Sequence, residues 1–139
     1  QIIYQDDFLI DKYFETSFTL YKKVLAHHAS GFKIVLTKLI NNELTLSDQV
    51  GCSSKWPKRS KEDGLITSEL TVNTIKTLIR AQQEPYPLSY IIRNDDIYNV
   101  YYFDGMQNIN YDQVELVMNL EMVDFQAKDG SLILYVSHV

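Results

Sequence analysis

Apolar positions set two rhythms along this chain. Phe18, Tyr21, Leu25, Phe32, Val35, Leu36 and Leu39 recur at spacings of three and four, allowing for a turn at His28. That stripe predicts a helix to about Ile40, with Thr16 or Ser17 as its cap. Gly31 lies inside it and marks a kink or a close contact. Asn41-Asn42 is the expected stop. A second stripe, Val72, Ile75, Leu78 and Ile79, predicts a helix capped by Thr71 and ended by Pro85. Residues 42–70 between them show no period and read as a long connection.

The other rhythm is that of short strands. IIYQDDFLI (2–10) is β-branched and aromatic, and predicts a strand interrupted at Asp6-Asp7. After Leu88 come LSYIIR (88–93), IYNVYYF (97–103), a segment near 114–120 and SLILYV (131–136). Turn signals at Asn94-Asp95-Asp96, Asp104-Gly105 and Asp129-Gly130 separate them. The expected fold is α+β: a strand, two helices and a loop, then a small antiparallel β-barrel or β-hairpin module. The expected boundary divides residues 1–84 from 85–139.

Charge sharpens that division. The net charge over 139 residues is −5. Residues 1–84 hold 11 Lys/Arg and 10 Asp/Glu, a net of +1, whereas 85–139 hold 2 and 8, a net of −6. An acidic C-terminal part repels a phosphate backbone, so no nucleic-acid surface is expected there. No apolar run reaches the roughly 18 residues of a membrane span, and no secretory leader is expected. The lone Cys52 permits a reducing compartment, so a cytoplasmic location is expected. His27, His28 and His138 lack metal-ligand spacing, and no glycine-rich phosphate loop occurs.

Two ordered strings carry the candidate chemistry. WPKRSKEDGLI (56–66) supplies Lys58, Arg59, Glu62, Asp63, Gly64 and Ile66; IKTLIRAQQEPYPLSYI (75–91) supplies Ile79, Arg80, Ala81, Pro85, Tyr86 and Pro87. Together they resemble the formyltransferases that use a formyl-tetrahydrofolate donor, whose members carry K-R-x-x-E-D-G-x-I, a helix ending IRA, and PYP before a strand. IIYQ (2–5), Glu15-Thr16, Leu20-Tyr21 and KDGSLIL (128–134) extend the resemblance over most of the chain.

The resemblance implies the end of a Rossmann-like catalytic domain, a connecting loop and a C-terminal β module. In such enzymes an acceptor amine attacks the formyl carbon, with His, Asn and Asp managing proton and oxyanion. No H-x-S-x-L-P string occurs here, so no catalytic residue carries over, and the 139 residues alone are expected to be inactive. The start at Gln1 is expected to fall just past the family's aspartate.

Within the family, the acidic C-terminal part favours a nucleotide-linked amino-sugar acceptor, of the kind used in polysaccharide synthesis, over methionyl-tRNA. A homodimer through the C-terminal strands is also implied. A non-catalytic interaction module is the alternative from another class.

Each site residue has two readings. Lys58 and Arg59 either contact acceptor phosphates or pair with Glu62 and Asp63. Glu62 and Asp63 hold the loop by capping and pairing. Arg80 complements the helix dipole, and either reaches a loop carboxylate or contacts ligand. Pro85 and Pro87 set the chain direction, and Tyr86 is a candidate for stacking on a base. Trp56 is either an aromatic platform or a packing residue.

Overall fold

The structure, a computed structural model, describes residues 1–109 and 119–139. It is a mixed helix-and-sheet fold. Helix α1 spans Ser17–Ile40 without a break at His28. Thr16 caps it in a reciprocal box: Thr16 Oγ1 accepts the Thr19 N–H, and Thr19 Oγ1 accepts the Thr16 N–H. Ser17 is turned to another use, described below. Helix α2 spans Val72–Ala81, with Thr71 Oγ1 accepting the Thr74 N–H. It stops short of Pro85, whose ring would collide with the Ala81 carbonyl if the helix continued.

Strands β1 (Ser89–Arg93), β2 (Asp96–Phe103), β3 (Glu121–Ala127) and β4 (Gly130–His138) form one antiparallel sheet in the order β1-β2-β4-β3. Asn94 and Asp95 both take positive φ (52° and 68°), as a two-residue hairpin with right-handed twist requires, and Arg93 faces Asp96 across it. The sheet curls into a half-barrel. Its edge strands β1 and β3 line one hollow of about 450 Å³. The strand expected near 114–120 lies outside the described residues, save for 119 and 120, which precede β3.

The core lies between α2 and the sheet. Ile75 and Ile79 of α2 are wholly buried with Val100, Leu134 and Val136, in a cluster that also includes Ile66, Ile91 and Phe103. The β3–β4 turn also grips the start of α2. Asp129 Oδ1 accepts the Val72 N–H at 2.7 Å, and the Lys128 N–H donates to Leu70 O at 3.0 Å. A carboxylate there satisfies an orphan donor and complements the helix dipole.

The expected strand over 2–10 is not formed. Only Ile2 pairs, as an isolated bridge to Ser47. A strand needs a partner ladder, and Tyr4, Asp6 and Phe8 of this segment meet α1 instead. The Tyr4 ring covers Gly31, where a Cβ would sit 2.5 Å from Tyr4 Cε1. Asp6 Oδ2 meets His27 Nδ1 at 2.6 Å, and Phe8 stacks on the His27 ring at 4.7 Å. The close contact at Gly31 is therefore with this strap.

No helix is long and apolar enough to cross a membrane among the described residues.

Candidate functional site

The periodicity that buries one face of α2 leaves another free. With Ile75 and Ile79 in the core, Asn73, Thr74, Thr77 and Ala81 fall on the opposite side. They form one wall of a cleft of about 990 Å³. The basic loop supplies the facing wall through Lys58, Arg59, Ser60 and Lys61. Leu78, Gln82, Tyr86 and Pro87 close one end.

Local chemistry holds the loop at its C-terminal side. Residues 61–64 form one short 3-10 turn. Asp63 Oδ2 accepts the Ser60 N–H at 2.7 Å, as a capping carboxylate does. The Ile66 N–H then donates to Tyr90 O at 2.8 Å, tying the loop to β1. Lys61 Nζ lies 5.7 Å from the centre of the Tyr90 ring.

The cleft is electropositive. Among the described residues three cations line it and no carboxylate does. Lys58 and Arg59 make no ion pair among the described residues. Asp63 is occupied with the Ser60 backbone. The Glu62 carboxyl is held below its ordinary value, chiefly by the Ser60 hydroxyl. The apolar end is formed by Leu78, Ala81, Tyr86 and Pro87, with Tyr86 57% exposed and so accessible for stacking.

The other sequence-derived candidates lie elsewhere. Trp56 is 87% exposed and does not line the cleft. Arg80 donates through Nη2 to Lys12 O (3.3 Å) and Thr77 Oγ1 (3.4 Å), so it meets the N-terminal segment rather than a loop carboxylate. Pro85 lies inside the turn that leads to Tyr86, closed by the Tyr86 N–H donating to Gln83 O at 3.0 Å. Lys61, Asn73, Thr74, Thr77 and Gln82 are cleft residues that sequence reasoning missed. A polar helix edge carries the same pattern whether it faces water or a ligand.

This arrangement suits binding more than bond-making. A basic wall can take an anion, hydroxyls and an amide can meet a polyol, and the apolar end can take a planar ring. Among the described residues no histidine or cysteine lines the cleft. Among the described lining residues the formyl end of a folate donor finds no imidazole or carboxyl to carry a proton beside its reacting carbon. No group of three metal-ligating side chains gathers among the described residues. No family model matches the chain, and no curated protein matches it.

Proposed function

We propose that this chain is the acceptor-side portion of a formyl-tetrahydrofolate-dependent N-formyltransferase, and that its cleft holds a nucleotide-linked amino sugar. On this reading residues 1–84 are the end of a Rossmann-like domain and 85–139 a C-terminal β module. The enzyme is cytoplasmic, serves polysaccharide synthesis, and pairs with a second copy through the C-terminal strands. Met122, 70% exposed on β3, supports an apolar contact at that edge.

One observation carries the reading. The two strings that resemble the family are separated by residues 67–74, and Lys58 and Arg59 of the first and Tyr86 and Pro87 of the second line one cleft. A chance likeness gives no reason for them to meet. The division of chemistry suits the ligand. Guanidinium and ammonium groups take a diphosphate, Tyr86 and Pro87 take the base, and the α2 hydroxyls take the sugar. The donor supplies the formyl group, and no residue of this chain is assigned a step in its transfer.

Methionyl-tRNA is the second acceptor to weigh, and the net charge of −6 over residues 85–139 argues against it. Binding of a nucleoside-diphosphate amino sugar and of tRNA, each titrated at rising salt, separates the two. The sugar nucleotide is expected to bind, and K58A/R59A to weaken it by roughly tenfold or more. Tight tRNA binding with a steep salt slope, and no sugar-nucleotide binding, overturns the proposal.

A further inference from the structure

The basic loop needs something to place it, because residues 51–60 are exposed throughout and belong to no helix or strand. The geometry points to Gln82 as the positioning residue that sets Lys58, Arg59 and Lys61 against the ligand, through contact with Gly64. This inference rests on reading the cleft as a site for an anionic ligand.

Gln82 follows the last turn of α2, and its own N–H donates to Leu78 O at 3.0 Å. The residue is only 8% exposed, and Ser89 Oγ, at the start of β1, donates to Gln82 Oε1 at 3.3 Å. The side-chain amide lies close against the Cα of Gly64. A Cβ added there would overlap Gln82 Oε1 and sit 3.3 Å from Cδ. Gly64 has no positive φ, so its backbone suits any residue, and what requires glycine is this approach. Gly64 closes the 3-10 turn that begins at Lys61, so its fit against Gln82 fixes the end of the loop carrying all three cations.

An ordinary amide at the end of a free side chain would swing aside. Here the Ser89 bond and burial hold it, and moving it leaves buried polar atoms unpaired. A methyl at position 64 must therefore displace either the amide or the loop. Gln82 also lines the cleft itself, so its displacement changes the wall where α2 meets Tyr86.

The test uses G64A, Q82A and the double variant, with amide exchange at the hydrogen-bonded Ser60, Leu65 and Ile66 and affinity for UDP as readouts. Both single variants are expected to exchange faster there and to bind UDP roughly tenfold more weakly. The double variant is expected to be no worse than either single one, because both break the same contact. S68A, at an exposed position outside the cleft, is expected to match the unsubstituted protein in both readouts. Q82A removes atoms without adding a clash, so it decides the question even if G64A does not fold. Unchanged exchange in Q82A, or additive losses in the double variant, overturns the inference. If the unsubstituted protein does not bind UDP, the anion-site reading fails, and the exchange data alone decide whether Gln82 places the loop.

Discussion

Both helices carry apolar positions at spacings of three and four, more sharply segregated to one face in α2, and their fates are opposite. In α2, Ile75 and Ile79 are 0% exposed. In α1, Phe32 is 70% exposed, Leu39 56% and Leu25 47%, and only Ser17 and Gly31 are buried. Periodicity reports that a helix has a face to bury; it does not report what covers it. The sheet covers α2. Among the described residues α1 has only the strap over residues 2–8 and a polar attachment at its first turn. There Ser17 Oγ donates to Gln83 O at 2.7 Å and accepts the Gln83 N–H at 2.9 Å. Gln83 Nε2 reaches on to Ile79 O and Tyr101 O, so α1 is joined to the core by hydrogen bonds rather than by apolar packing.

The largest expected effect follows from that contrast. Ile79→Ala should cost about 2–5 kcal/mol of stability, as a cavity in a closed core does. Phe32→Ala should stay within about 0.5 kcal/mol, as exposed positions do. Urea denaturation of the two variants checks this. A cost above about 2 kcal/mol for Phe32→Ala would show that α1 is covered in solution and break the comparison.

A smaller effect is expected where the sheet grips α2. Asp129→Ala strips the Val72 N–H of its acceptor and should lower stability by about 0.5–2 kcal/mol. Asp129→Asn, which keeps an acceptor but not the charge, should lose less. Thermal melts of both variants resolve the order.

The smallest effect belongs to the strap. Its Asp6 carboxyl is held below the ordinary value, first by the hydrogen bond with His27 and then by the Asp7 N–H, against weak opposition from burial. A carboxyl with a depressed pKa stabilises the folded arrangement above its unfolded value, roughly 3.9, and loses that contribution as pH falls through the folded one. The strap should therefore loosen from α1 below about pH 4, and Asp6→Asn should abolish that dependence. Amide exchange across residues 2–8 as a function of pH measures it, and an unchanged profile in Asp6→Asn would contradict the pairing.

Much of the fold was legible because local signals agreed. Thr16 and Thr71 cap their helices, Asn94-Asp95 makes its hairpin, and β4 contains the expected SLILYV. Residues 2–10 misled because β-branched and aromatic composition records what suits a pleated surface, while a strand also needs a ladder to join. Lys58, Arg59 and Tyr86, expected as candidate contacts, line the cleft together with Pro87, expected only to set the chain direction. Thr74 and Thr77 were not foreseen, since their role depends on which way α2 turns once Ile75 and Ile79 are buried, and neither was Lys61 on the short 3-10 turn. Gln82 was hidden for a similar reason: its significance lies in a contact with Gly64 across the fold.

The central claim is that the ligand site lies on the free side of α2 and not along α1. Backbone chemical-shift mapping with a nucleoside-diphosphate amino sugar tests it most directly. Perturbations are expected at residues 58–61, 73–82 and 86–87, and none along residues 20–40 of α1. Perturbations concentrated on α1, or none at millimolar ligand, would contradict it.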